Sequence, residues 1–223
     1  MKIAISKSYG ENNVFQDLSL EIENGTITCV LGESGGGKTT LLNILAGLIP
    51  YEGNVTDVPK TIGYIFQEPR LLPNLTVEEN LRYVGGMYES IEDILQKTEL
   101  FALRNKRPKE LSGGEKQRVA IARAFLSVDK EGLLLLDEPF SSLDTALKIR
   151  LSRVFARLWQ EKQPTVVFVT HDIEEACMLG QRIVVLKDGK IAFNERLLGV
   201  ELPRDYGEAS EIKKRLLDVL LQE

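Results

Sequence analysis

Gly32-Glu33-Ser34-Gly35-Gly36-Gly37-Lys38-Thr39 decides the fold, because it satisfies G-x-x-x-x-G-K-[ST] at every position. Ile27–Leu31 before it is a short, almost wholly apolar strand, and Thr39–Leu48 after it has helical spacing. Strand, glycine-rich turn and helix in that order are the setting in which the motif binds phosphate. The glycines let successive backbone N–H groups point inward without Cβ clashes, and the helix N-terminus adds partial positive charge. Lys38 is expected to reach the β- and γ-phosphates of a nucleotide, and the Thr39 hydroxyl to ligate Mg²⁺. Thr40 continues the helix, a structural residue at the edge of the phosphate-binding stretch Gly32–Thr40.

Outward from the loop, the opening third reads as strands and tight turns. Val14–Glu23 alternates in part and ends at Glu23-Asn24-Gly25, where glycine suits a positive φ. Thr61–Phe66 reads as another strand, ending at Gln67. From about Glu68 to Asp129 the texture becomes helical: a capping-box pattern at Thr76–Glu79, then Ser90–Leu100 and Glu115–Ser127 at helical spacing. Leu133–Leu136 and Val166–Thr170 are again apolar strands, separated by the helical Ala146–Lys162. Strands apolar throughout are what a sheet covered on both faces requires. Arg182–Leu186 and Ile191–Phe193 read as a hairpin around an Asp188-Gly189 turn, and Glu208–Leu221 as an amphipathic helix.

The fold expected is α/β: a P-loop NTPase core with a mostly parallel sheet, an N-terminal antiparallel β part and an inserted helical subdomain. Residues 1–223 are expected to form one domain, with a sheet-based core at about 1–68 and 130–195, the helical subdomain at about 69–129 and a helical tail at about 196–223.

Lys+Arg 28 against Asp+Glu 33 leaves a net charge of −5, which argues against a general nucleic-acid-binding surface. Cys29 and Cys177 fit neither a zinc spacing nor a disulfide framework, so a reducing compartment is expected. The first residues are too polar for a signal peptide, and no apolar run approaches the roughly 18–20 residues of a membrane helix. A cytoplasmic chain follows, with any membrane role reached through a partner.

A second decisive run is Leu111-Ser112-Gly113-Gly114-Glu115-Lys116-Gln117-Arg118. Ser112 and Glu115 form a Ser-x-x-Glu capping box, and a capped helix opening on two glycines presents N–H groups to a phosphate. Leu133-Leu134-Leu135-Leu136-Asp137-Glu138-Pro139 delivers two carboxylates at the end of a buried strand. In open α/β sheets that end lies beside the phosphate loop. Asp137 suits a direct or indirect Mg²⁺ role, and Glu138 the activation of water as a general base. Gln67, at a strand end, offers a neutral amide to Mg²⁺ or to the water. His171, the one histidine, ends the strand Val166–Thr170 and is expected to contact the γ-phosphate.

The phosphate loop, Gln67, Leu-Ser-Gly-Gly, Asp137-Glu138, Ser141-Ser142-Leu143-Asp144 and His171, in that order, resemble an ABC transporter nucleotide-binding domain from about Lys2 to at least Phe193. The resemblance implies that Ser112, Gly113 and Gly114 bind the γ-phosphate of ATP held by a second subunit. It implies that Asp144 and Ser112 lie at the dimer interface, that Glu138 is the catalytic base, and that Tyr9 stacks on adenine. Phe66–Pro73, Asp137–Asp144, Thr170–Ala176 and Leu202–Arg204 resemble the ATPases of nitrate, sulfonate and taurine importers.

The expected function is therefore an ATP-hydrolysing subunit that energises solute import, with ATP and Mg²⁺ as cofactors. Its partners would be a second copy or a similar ATPase, permease subunits at the inner face of the membrane and, indirectly, an extracytoplasmic solute-binding protein. An exporter's ATPase shares the same motifs, and a soluble ABC ATPase remains the other alternative. Two positions depart from the family pattern: Glu115 where Gln is usual, and Gly36 where a small polar residue is more common.

Overall fold

In the computed structural model the described residues are 1–85, 88–197, 202–205, 207 and 210–221. The apolar segments become the parallel sheet. Strands β3 (Ile27–Leu31), β5 (Ile62–Ile65), β6 (Leu133–Asp137), β7 (Thr165–Thr170) and β8 (Arg182–Lys187) pair in parallel, and β9 (Lys190–Arg196) closes one edge antiparallel to β8. The order is β5-β6-β7-β3-β8-β9. Every residue of β3, β6 and β7 is buried, as a sheet covered on both faces demands. The Asp188-Gly189 turn has positive φ at both residues, the geometry of a two-residue hairpin.

A second, three-stranded antiparallel sheet runs in the order β2-β1-β4, from β2 (Asn12–Glu21), β1 (Lys2–Tyr9) and β4 (Glu52–Thr56). Ile3 and Ile5 of β1 are buried and alternate with exposed Lys2 and Ala4, a half-buried pattern. Strand β4 is not anticipated from the sequence. Its residues are mainly polar and exposed, so it carries no apolar alternation and is specified by backbone pairing with β1.

Between β5 and β6 the chain is helical: α2 (Val77–Arg82), α3 (Tyr88–Lys97), two short 3-10 turns and α4 (Gly113–Ser127). Thr76 starts α2 with the expected capping box, accepting from the Glu79 N–H while the Glu79 carboxylate accepts from the Thr76 N–H. The other helices are α1 (Lys38–Leu45), α5 (Thr145–Lys162), α6 (Ile173–Leu179) and α7 (Ser210–Leu221). Helix α7 matches the expected tail helix; residues 208 and 209 of that expectation lie outside the described residues.

One apolar cluster joins Leu81 of α2, Ile91 of α3 and Phe125 of α4 to Leu134, Leu136 and Phe168 of the sheet. The opposite face of the sheet packs on α1 and the small antiparallel sheet through Phe15, Leu41, Leu135 and Val169. Both cysteines are buried free thiols, and burial pushes Cys177 up to about 11.

Candidate functional site

Strand register alone assembles the site. Leu31 pairs with Thr170, Asp137 with Val169 and Ile65 with Leu136, so Gly32, His171, Glu138 and Gln67 all emerge just past the carboxyl ends of adjacent strands. Ligands of open α/β sheets bind outside these ends.

The glycine-rich loop packs so tightly that two of its glycines are obligatory. A Cβ on Gly32 would lie 2.4 Å from the Leu186 carbonyl oxygen, and Gly37 holds φ +88° with Val14 and Phe15 against it. Gly36 has no such constraint on φ, and a Cβ there would stand 3.2 Å from the Glu33 carbonyl. Lys38 opens α1, and its Nζ donates to the carbonyls of Gly32 and Glu33, each at 2.8 Å. It stands 3.8 Å from Glu138 Oε1. Burial pulls its pKa below the ordinary lysine value, against the opposing pull of Glu138 and Asp137.

Thr39 Oγ1 donates to Asp137 Oδ1 at 3.0 Å. Burial pushes the Asp137 carboxyl above the ordinary aspartate value, a rise that the Thr39 hydrogen bond opposes. Asp137 lines one cleft with Gln67, Glu68, Arg70 and Ser142. Gln67 is exposed, and its Nε2 donates to Ser141 Oγ at 3.4 Å. These residues offer neutral and anionic oxygens of the kind a hard divalent cation takes.

Glu138 adopts φ +45°, a conformation uncommon outside glycine. Three hydrogen bonds hold it there: its N–H donates to Val169 O at 2.9 Å, and its carbonyl accepts from the N–H and the hydroxyl of Ser141. Backbone held in a sparse region by its surroundings is found at sites of chemistry. The Glu138 carboxylate meets His171 Nδ1 at 2.9 Å. A carboxylate only accepts, so the contact places a proton on Nδ1.

Ser112 is the N-cap of α4. Its Oγ accepts from the Glu115 N–H at 3.3 Å, and Glu115 Oε2 accepts from the Ser112 N–H at 2.7 Å and hydroxyl at 2.9 Å. The acid that departs from the family pattern is thus folded back onto its own cap. The hydrogen bond from the Ser112 backbone holds its carboxyl below the ordinary glutamate value. Gly114 packs on Leu147 of α5, whereas Gly113 is exposed with nothing within 4 Å of a Cβ.

Asp144 is likewise an N-cap, its Oδ1 accepting from the Leu147 N–H at 3.0 Å at the start of α5. Tyr9 ends β1 with 51% of its surface exposed. It pairs with Asn12, the first residue of the strand that walls a cavity of about 350 Å³ beside Glu33, Ser34 and Gly35. Two residues lie outside the expected set. Ser141 was anticipated only as part of a motif and here supports both Gln67 and Glu138. Lys148, on α5, reaches the residue after His171 at 2.8 Å. Its sequence signal is faint, a cation four positions after the Asp144 cap.

The family described as ABC transporter matches residues 15–141. Among relatives, Aliphatic sulfonates import ATP-binding protein SsuB 1 of Pseudomonas fluorescens is 40% identical, with 97% of this chain and 84% of that protein covered. The protein of the same name in Paracoccus denitrificans is 38% identical, covering 96% of this chain and 90% of the relative. Among solved structures, a dimeric post-hydrolysis state of the ATP-binding cassette MJ0796 bound to ADP and Pi superposes with a TM-score of 0.74. It is 32% identical over 89% of this chain and 99% of that one.

Proposed function

The chain belongs to the ABC transporter family and is an ATP-binding, ATP-hydrolysing subunit, and from that premise we propose that it energises import of a small solute through a membrane permease. The relatives named above are import subunits for aliphatic sulfonates, and an anion of that class is the first solute to test. No helix among the described residues is long and apolar enough to cross a membrane. In this reading the subunit works at the inner face of the cell membrane, held there by permease subunits, while an extracytoplasmic binding protein delivers the solute.

Two copies close on two ATP molecules. In each, the loop Gly32–Thr40 cradles the phosphates through backbone N–H groups, and Lys38 leaves the loop carbonyls for the β- and γ-phosphates. Tyr9 stacks on the base, with discrimination among purines loose because any purine offers a π-face. Thr39, Asp137 and Gln67 would hold Mg²⁺. When bound, that ion neutralises charge on the β- and γ-phosphate oxygens. Glu138 orients the attacking water and takes its proton. His171 meets Glu138 through Nδ1 and contacts a γ-phosphate oxygen. The second copy completes the site with its own Ser112, Gly113 and Gly114, and Asp144 lies at the seam. The helical stretch at about 69–129 passes closure to the permease, against a core at about 1–68 and 130–195, with the tail at about 196–223 packed on that core.

One observation carries this reading most strongly: Thr39–Asp137 and Glu138–His171 meet at a single sheet edge from distant parts of the sequence. Closure is a population shift, driven by γ-phosphate contacts that ADP lacks. Glu138→Gln should therefore lower ATP turnover by about 10²–10⁴-fold and leave a long-lived dimer in MgATP on a sizing column. A variant that stays monomeric and hydrolyses normally sinks the mechanism. Co-purification with a multi-span membrane protein tests the coupling to transport.

A further inference from the structure

His171 is about half exposed, yet the chain on both sides of it is tied to one cation on another element. Lys148, one turn into α5, reaches Asp172 Oδ2 at 2.8 Å and Glu175 Oε1 at 2.9 Å. The other oxygen of Glu175 accepts the Thr170 hydroxyl at 2.6 Å, and the Thr170 oxygen accepts the Asp172 N–H at 3.0 Å. Thr170 precedes His171 and Asp172 follows it. A single ammonium thus grips the turn from both ends, directly at Asp172 and through Glu175 at Thr170.

The cluster is half-buried, with Glu175 at its inner end. Glu175 is 3% exposed, and a buried carboxylate is tolerated only when paired and hydrogen-bonded. Burial works against the charge on Lys148, but the hydrogen bonds to Asp172 and Glu175 outweigh it and hold its pKa above the ordinary lysine value. Asp172 has a further duty, capping α6 through Oδ1 at 2.9 Å from the Glu174 N–H. Lys148 is also bound into the first turn of α5, its N–H donating to Asp144 O at 2.9 Å.

We infer that Lys148 is a positioning residue for ATP hydrolysis: its ammonium shapes the Thr170–Asp172 turn so that His171 meets Glu138, and it ties that turn to the helix that Asp144 begins. The inference rests on the roles given above to Glu138 and His171. Without the cation, Asp172 and Glu175 face each other as like charges, and the Thr170–Asp172 turn keeps its own hydrogen bonds but loses its tie to α5. A misplacement of about 1 Å in a reacting group can cost about 10²-fold in rate, so even partial relaxation is measurable.

The test uses the whole chain, with steady-state ATPase and direct ATP-binding measurements on Lys148→Met, Lys148→Arg, His171→Ala and the Lys148→Met/His171→Ala double variant. Lys148→Met should lower kcat about tenfold or more while ATP affinity changes less than about twofold. Arg should restore kcat to within about threefold, because it can supply the same charge to both carboxylates. With His171 already removed, the Met change should cost little more, since residues acting as a unit are not additive.

Wild-type kcat in folded Lys148→Met overturns the inference. So does an equal loss with and without His171, which would mark a merely structural role. Loss of the ammonium could unfold the chain, and Asp172→Asn then decides the matter, because Asn keeps the α6 cap and loses the direct ion pair to Lys148 while the Lys148–Glu175 pair stays. It should lose kcat while melting near the wild-type temperature, and wild-type kcat in this variant overturns the inference equally. Wild-type turnover in His171→Ala alone would instead strike the role of His171, a failure visible in that single variant.

Discussion

Thr39 Oγ1 donates to Asp137 Oδ1 across 3.0 Å, closing the helix after the phosphate loop onto the end of β6, 98 residues further along the chain. The bond leaves Asp137 9% exposed beside Glu138, which is an expensive place for a carboxylate.

That expense is measurable. Burial raises the folded pKa of Asp137 above its ordinary 3.8. A raised carboxyl costs nothing below the ordinary value, and stability is lost as pH climbs through the folded one. Asp137→Asn keeps an oxygen for Thr39 and removes the buried charge. It should melt above wild type at pH 7, each kcal/mol gained reading as about 2–4 °C, with the gap shrinking as pH falls toward the ordinary aspartate value. ATPase activity should be lost in the same variant, a trade of function for stability.

Gly113 separates what the fold needs from what a second copy needs. It is exposed, and a Cβ there meets nothing within 4 Å, so its own chain does not require glycine. Gly113→Ala should be as stable as wild type, or more so by up to about 1 kcal/mol from helix propensity. ATPase activity should nevertheless fall, because in the proposed dimer the methyl would stand where the γ-phosphate of the other subunit's ATP approaches. Full activity in denaturation-matched samples would show that this glycine faces no phosphate.

Glu115 is already engaged with Ser112, so Glu115→Gln should leave ATPase activity nearly intact. A large gain in activity would mean that the charge opposes closure. The backbone hydrogen bond lowers the folded pKa of Glu115 below its ordinary 4.5, so the cap contributes fully above that value. Its contribution is lost as pH falls through the folded pKa. Acid denaturation should therefore lose a small increment in Glu115→Gln relative to wild type, read by far-UV circular dichroism.

Tyr9 is held at the strand tip with 51% of its surface exposed, and Lys7 Nζ lies 4.6 Å from its ring centroid. Tyr9→Ala should weaken ATP and GTP together, by about 1–3 kcal/mol in nucleotide-binding titrations. Tyr9→Trp should bind both about as well as wild type, since stacking needs only a ring.

Much of the site was legible because its signals are local. A glycine turn between strand and helix, a Ser-x-x-Glu cap and an Asp-Gly hairpin each act within a few residues, where sequence and geometry are directly coupled. Strand β4 was not legible. Glu52-Gly53-Asn54-Val55-Thr56 has no alternation to read, and its place is set by β1, whose backbone a Gly53 Cβ would strike at 2.2 Å from Ala4 O.

By itself the sequence determined which groups to propose for the chemistry: Lys38, Thr39, Asp137, Glu138 and His171 sit in patterns that carry an expected role for each. Only the tertiary structure decided how they are held. The parallel register set Glu138 and His171, 33 residues apart, within 2.9 Å, and brought Lys148 from α5 onto the turn around His171. Such contacts depend on strand order and helix packing, which involve the whole chain at once, and no window of neighbouring residues contains them.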